Sequence, residues 1–395
     1  MRRIAANYIF PIDSEPIRNG FIELEDDGTI IKTGELTQET ASTEFYNGIL
    51  CPGFVNSHCH IELSSLQGKF KKGTGMSGFI NQINELRESA PKEVRIECIA
   101  NQFEKLYEEG VSAMADISNC DESFQIKKEN PIYTRTFIEV FGTEANDVPE
   151  VISGAKQLLE KATEMGIDAG ITPHSPYTMS PELLTAASAE GLSKGFISYH
   201  NQESQEEEDM ICSHSGALYE NYIGRGLSVP PATGKPALLH FLDRISKVHP
   251  APFKENILLI HNTVTNQESI DAAKEAAQNL FWVTCPLSNI FIHNTLAPLK
   301  LFRENGLKIL VGTDSLSSND ILSMVEEIKC IQSNFPEIPL AEILQWSTLN
   351  GAEALAQHHW LGSFTPGKKP GVVLIDNIDF ENMKLTPQSR SKRII

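Results

Sequence analysis

The feature that most constrains this chain is an alternation of short β-rich runs with helix-like stretches. Eight such runs can be read, at residues 49–60, 112–118, 132–140, 168–174, 196–200, 257–261, 281–285 and 308–314. Strands separated by helical patterns form parallel sheets, because a parallel connection must cross back over the sheet face. Between the third and fourth runs, Asp147 stands at a capping position and Pro149 suits a first turn. Val151, Ala155, Leu158, Ala162 and Met165 then make an apolar stripe, and Gly166 stops it. Eight such units predict an α/β chain with a (β/α)8 barrel over 49–361, whose working end is the carboxyl end of its strands. Residues 1–48 and 362–395 hold shorter alternating stretches such as Ile22-Glu23-Leu24-Glu25 and Gly371-Val372-Val373-Leu374-Ile375. These are predicted to pair as the N- and C-terminal parts of one small β-sandwich.

Polar residues fall where a barrel would use them. The first run ends in His58 and His60, the third in Glu139 and the fourth in His174. The fifth ends in His200, the sixth in His261 and the eighth in Asp314. Side chains alternate along a strand, so His58 and His60 point to one side. Alone, that pair fits either a nitrogen grip on a transition metal or two loop histidines. Five histidines and two carboxylates at one end of a barrel favour a site.

Composition narrows the partners. A formal charge of -19 argues against nucleic acid, which needs clustered Lys and Arg, and against an anionic membrane surface. No stretch approaches the ~18 apolar residues of a membrane span, and Met1-Arg2-Arg3-Ile4 has no apolar segment behind it. Seven scattered cysteines without a Cys-x-x-Cys predict neither a disulfide framework nor a thiolate zinc site. The expected compartment is the cytoplasm and the expected partner a small molecule; a homo-oligomer is left open. The acidic run Glu206, Glu207, Glu208 and Asp209 reads as a solvated face. Residues 204–253 read mostly as a helical connection, with a cover over the site as the alternative.

Several motifs occur in order along the chain: Pro52-Gly53-Phe54-Val55-Asn56-Ser57-His58-Cys59-His60, His174-Ser175-Pro176-Tyr177-Thr178, His200-Asn201-Gln202-Glu203 and Ile260-His261-Asn262. Cys285-Pro286-Leu287-Ser288-Asn289 and the stretch from Gly312 through Asp314 to Ser318-Asn319 follow. Thr348-Leu349-Asn350-Gly351-Ala352 and the segment 361–368 complete the series. With this set the chain resembles the amidohydrolase superfamily, in its metal-dependent deaminase and chlorohydrolase branch. Within the branch it looks most like deaminases of adenine-bearing nucleosides, of the S-adenosylhomocysteine, methylthioadenosine and aminodeoxyfutalosine type. Two departures stand out. The usual Gly-Lys-x-Ala-Asp is Gly367-Lys368-Lys369-Pro370-Gly371 here. The bridging lysine that dinuclear members carry at the end of strand four is missing, which implies a single metal.

The resemblance implies one divalent metal held by His58, His60, His200 and Asp314. Zinc fits that donor set, and ferrous iron is left open. Glu203, three residues beyond His200, is free to move protons. The implied cycle has activated water attack the ring carbon that bears the amino group, while Glu203 protonates the adjacent ring nitrogen. His261 and Asp314 steer the nucleophile and stabilise the tetrahedral intermediate, and ammonia leaves. Glu139, His174, Ser318 and Asn319 are expected to hold substrate, and Glu62 to touch the ribose or to support groups that do. The implied function is hydrolytic deamination of an adenine-bearing nucleoside to its hypoxanthine product. One rival is a hydrolase of another ring: guanine, a triazine, a cyclic amide or a C–Cl bond. The other, from a different class, is a non-catalytic barrel scaffold, against which stands the presence of every ligand and proton-transfer position.

Overall fold

The computed structural model describes residues 1–37 and 42–395. Strands β1 (Arg2–Ile9), β2 (Ile17–Leu24), β3 (Ile30–Glu35) and β4 (Thr43–Pro52) come first. They are followed by β5 (Phe54–Cys59), β6 (Val111–Ser118), β7 (Tyr133–Val140), β8 (Ala169–Pro173), β9 (Phe196–Asn201), β10 (Phe253–His261), β11 (Ala277–Thr284) and β12 (Ile309–Val311). The chain closes with β13 (Val372–Ile375), β14 (Ile378–Asp379), β15 (Lys384–Leu385) and β16 (Ser391–Arg393). Each of the eight expected runs overlaps one of the strands β5 to β12, although β6, β10 and β11 begin before their runs and β9 ends one residue after its own.

Those eight strands form two parallel four-stranded sheets, β5-β6-β7-β8 and β9-β10-β11-β12. Every residue of β5 and β6 is buried, as expected of parallel strands covered on both faces. Alternate side chains feed two cores. Val55, Ala113, Ala115, Ile117, Phe137, Leu258, Ile260, Phe281, Val283 and Leu310 share one cluster that draws on both sheets. Phe54, Val111, Met114, Ile138, Ile257, Leu259, Trp282 and Ile309 belong to the larger core shared with the surrounding helices. Full burial of such side chains contributes about 1.5–3 kcal/mol each.

The sheets also touch at two seams. Between β12 and β5, the Thr313 and Asp314 amides both donate to the His58 carbonyl at 3.0 Å. Asn56 Nδ2 donates to Thr313 Oγ1 at 2.7 Å. Between β8 and β9, the His200 amide donates to the His174 carbonyl at 2.9 Å, and the Ser198 amide donates to Thr172 Oγ1 at 2.9 Å.

Three expectations change. Residues 49–60 are not one strand: β4 ends at Pro52 in the outer sheet, and β5 begins at Phe54. Gly53 makes the passage, and a Cβ there would lie 1.9 Å from Ser112 Oγ. The expected β-sandwich is instead a single six-stranded sheet, β16-β13-β4-β1-β2-β3, with a separate ribbon β14-β15. Its edges return to each other. The Ile30 amide donates to the Lys368 carbonyl and the Gly367 amide to the Ile30 carbonyl, both at 2.8 Å, and Gly28 lies beside Ile395. Among the described residues, this one sheet buries Ile4, Ile22, Leu24, Leu50, Val372 and Phe364 in a shared cluster. Finally, the helix after β7 is Val148–Glu164 with Pro149 in its first turn, but the Asp147 side chain makes no cap bond. Among the described residues, no helix is long and apolar enough to cross a membrane.

Candidate active site

The carboxyl ends of β5, β9, β10 and β12 bring His58, His60, His200, His261 and Asp314 together. His60 Nε2 lies 3.2 Å from His58 Nε2 and 3.3 Å from His200 Nε2. Asp314 Oδ1 lies 3.7 Å from both His58 Nε2 and His60 Nε2. Burial pushes His58 and His200 well below the ordinary histidine value and His60 below it, which favours the neutral ring, the form that ligates metals. His200 Nδ1 lies 3.2 Å from the His174 carbonyl. Donation to that oxygen leaves the Nε2 lone pair facing the cluster. Burial alone would raise the Asp314 carboxyl, but the His60, His261 and His58 rings and the Ser288 hydroxyl outweigh it and hold the group below the usual carboxylate range. Three buried imidazole nitrogens and a carboxylate oxygen aimed at one point fit a divalent cation, because a neutral ring with its proton on Nδ1 presents a lone pair at Nε2.

Around this cluster lies a cleft of about 520 Å³, within the roughly 300–1,000 Å³ typical of small-molecule sites. Glu139, His174, Glu203 and His261 join His60, His200 and Asp314 in lining its floor. Met76, Phe79, Ile80, Ile83, Tyr177, Tyr222 and Leu227 line its walls. A larger cavity of about 890 Å³ lies beside β16, lined by Lys105, Glu108, Asp376 and Arg390 among others. It holds none of the converging imidazoles, so the smaller cleft is the candidate site.

Glu203 is 4% exposed; its Oε1 is 3.5 Å from His261 Nε2 and 3.9 Å from His293 Nε2. Asn289 Nδ2 is 3.0 Å from His261 Nδ1. Its amide donates there, which places the ring proton on Nε2, toward Glu203. His261 and Asp314 sit at φ 72 and 58, left-handed conformations that non-glycine residues hold at a cost of about 1–3 kcal/mol. Such strain collects where side-chain aim matters more than backbone comfort.

The expected substrate residues divide. Glu139 and His174 line the cleft. Burial pushes Glu139 up to about 8, eased by the Asn119 amide, and burial takes His174 down to about 3. Glu139, His174 and His200 also form a second converging trio that shares His200 with the first. Ser318 and Asn319 do not line the cleft. The Ser318 hydroxyl donates to Asp314 Oδ2 at 2.9 Å, and Asn319 Nδ2 donates to the Thr313 carbonyl and to Glu327 Oε1. The turn after Asp314 folds both side chains back onto the aspartate and its support. Glu62 also lies behind the lining: it accepts from Arg87 Nη2 at 2.9 Å and from the Asn119 amide. Arg87 and Asn119 face the cleft in its place, and no sequence pattern marks either. Ser288, whose hydroxyl donates to Asp314 Oδ2 at 2.6 Å, and Asn289 do carry a signal, since both lie in the Cys-Pro-Leu-Ser-Asn motif.

The acidic run is no solvated face. Glu207 is fully buried and accepts from the Gln202 and Glu203 amides. Glu206 accepts from the Met76 and Ser77 amides, and Glu208 from the Ala237 amide. The connection after β9 also contributes to the cleft, since Tyr222, Arg225 and Leu227 line it.

Known proteins are similar to this chain. An adenosine deaminase of Helicobacter pylori is 28% identical over 318 residues, covering 79% of this chain and 75% of its own. The crystal structure of Helicobacter pylori aminofutalosine deaminase in complex with methylthio-coformycin covers all of both chains, with a TM-score of 0.79 at 23% identity. An adenosine deaminase from Xanthomonas campestris with bound zinc gives a TM-score of 0.74 at 19% identity, over 97% of this chain and 86% of its own. These likenesses carry the TIM-barrel fold of metal-dependent hydrolases acting on C–N bonds. The model of the amidohydrolase family matches residues 49–393, and with its histidine cluster in place the chain belongs to that family.

Proposed function

We propose that this chain is a hydrolytic deaminase of an adenine nucleoside carrying a 5′ substituent, with its two parallel sheets closed into one eight-stranded barrel. The observation that carries the reading is the make-up of the cleft lining. It joins His60, His200, His261, Glu203 and Asp314, with His58 packed against His60, to the apolar Met76, Phe79, Ile80, Ile83 and Leu227. The named relatives act on adenine nucleosides, which supports the choice of ring.

His58, His60, His200 and Asp314 would hold one divalent metal, and the nitrogen-rich set with one carboxylate suits zinc. When bound, such a metal supplies the Lewis acidity that makes water a nucleophile at neutral pH. The remaining work belongs to side chains. Glu203 takes a proton from the attacking water and delivers one to the ring nitrogen beside the carbon under attack. The water oxygen bonds to that carbon; Glu203 then carries the remaining hydroxyl proton to the amino nitrogen, the C–N bond breaks, and ammonia leaves as the carbonyl forms. The His261 Nε2 proton faces the developing negative charge, while Ser288 and Ser318 occupy Asp314 Oδ2 and leave Oδ1 toward the cluster. Glu139, His174, Arg87 and Asn119 supply polar contacts to base and ribose. Phe79, Ile80, Ile83 and Leu227 take an apolar 5′ group.

Ammonia release and the absorbance change on deamination would be measured for adenine, adenosine, methylthioadenosine, S-adenosylhomocysteine and aminodeoxyfutalosine. Methylthioadenosine is expected to outrun adenosine in kcat/KM by about 10–200-fold, the worth of a small apolar contact, with free adenine poorest. Faster turnover of guanine, cytosine or any free base than of every adenine nucleoside would move the assignment to another ring. His261→Asn is expected to keep its metal and lose about 10²–10³ in kcat, the effect of removing one donor to developing charge. Parent-like kcat would remove His261 from the chemistry.

A further inference from the structure

Three adjacent glutamates on the first turn of helix Gln205–Ser213 reach three separate parts of the molecule. Glu206 Oε1 and Oε2 accept from the Met76 and Ser77 amides, each at 3.0 Å, at the start of helix Gly75–Leu86. That helix lends Met76, Phe79, Ile80 and Ile83 to the apolar wall of the cleft. Glu207 Oε1 and Oε2 accept from the Gln202 amide at 2.8 Å and the Glu203 amide at 3.0 Å. Neighbouring residues of one turn therefore hold the wall and the floor.

Both attachments are built into the backbone. Gly75 has φ +68, and a Cβ there would lie 2.3 Å from Glu206 Oε1, so the approach requires glycine. Gln202 has φ 46, unfavourable for a residue with a Cβ. It is kept there by Glu207, by Thr263 Oγ1 donating to the Glu203 carbonyl at 2.6 Å, and by the Val264 amide donating to the Gln202 carbonyl at 3.2 Å. Two amides converging on the two oxygens of one buried carboxyl group fix both the group and the backbone that meets it.

We propose that Glu207 is a positioning residue for Glu203 and that Glu206 determines specificity by fixing helix Gly75–Leu86. The turn then sets the span between the reacting carbon and the seat of the 5′ group. The proposal rests on the deaminase reading above. It predicts a division of labour, because Glu203 misplaced by ~1 Å costs about 10²-fold in rate, whereas a shifted apolar wall weakens binding of the tail alone.

The test uses the metal-loaded full chain and measures kcat and KM for methylthioadenosine and adenosine in Glu207→Gln, Glu206→Gln and Gly75→Ala. In each glutamine variant an amide NH2 replaces one accepting oxygen and opposes a backbone donor. Glu207→Gln is expected to lose about 10²-fold in kcat on both substrates with KM and metal content kept. Glu206→Gln and Gly75→Ala are expected to raise KM for methylthioadenosine about tenfold, keep kcat, and narrow its advantage over adenosine. A merely structural role would not split the two parameters between neighbouring residues. Loss of kcat and KM together in all three variants, or parent-like values, would overturn the proposal. If Glu207→Gln does not accumulate, the KM effect in the other two variants decides alone. A parent chain that deaminates no adenine nucleoside sinks the underlying reading and this proposal with it. An active parent with unsplit variants sinks only this proposal.

Discussion

Glu203→Gln is expected to fold, to keep its metal and to lose roughly 10³-fold or more in kcat, since one proton transfer is worth about 10²–10⁴ and this group moves protons twice per turnover. The substitution is nearly isosteric. The glutamine carbonyl still faces His261 Nε2, at the position where Glu203 Oε1 now lies 3.5 Å away, but it cannot take a proton. The backbone at this position is held independently of the side chain, by Glu207 on the Glu203 amide and Thr263 on its carbonyl. The loss would therefore report chemistry and not a displaced loop. Ammonia release, elemental analysis and thermal unfolding on one preparation would check it. Activity within about tenfold of the parent, well short of the range for a lost general base, would assign the relay elsewhere, with His293, 3.9 Å from Glu203 Oε1, and the cleft-lining Glu139 as candidates.

Metal removal should be as drastic. Thorough chelation is expected to bring activity to background, and one equivalent of zinc per chain to restore it, because His58, His60 and His200 offer neutral nitrogens to one point. Binding to the folded chain alone also stabilises it, by about 4.1 kcal/mol at a thousandfold excess over Kd, so the apo chain should unfold at a lower temperature. His60→Ala should behave like the chelated protein, since its Nε2 lies 3.2 and 3.3 Å from those of His58 and His200. Full activity after chelation would refute a metal-dependent site. Two tightly bound equivalents would bring in the second trio, Glu139, His174 and His200, against the single metal expected from a fourth strand without lysine.

Several residues of the candidate site are legible in the amino-acid sequence, and the reason is local. Strand side chains alternate with period two, so His58 and His60 have to share a face. An apolar run ends where the chain leaves the core, which marks His200, His261 and Asp314 as strand-end groups near one rim. The same logic fails across 49–60, where two buried strands follow each other with only Gly53 between them. Their continuous apolar run conceals a change from one sheet to another.

Ser318 and Asn319 look like rim contacts because they follow Asp314, yet the turn aims them at the aspartate and at Glu327. Glu206 and Glu207 look solvated because nothing nearby in sequence neutralises a run of acids. Glu207 finds its donors within five residues, but Glu206 meets Met76 from 130 residues away, and Glu62 reaches Arg87 and Asn119 across 25 and 57. The sequence by itself determined the strand periods, the order of the βα units and the ligand-type residues at their ends, because these follow from backbone geometry over a few residues. The tertiary structure alone decided which polar groups face the cleft and which face one another. A buried carboxylate must be met by donors wherever the fold brings them, and no local period encodes a partner that far along the chain.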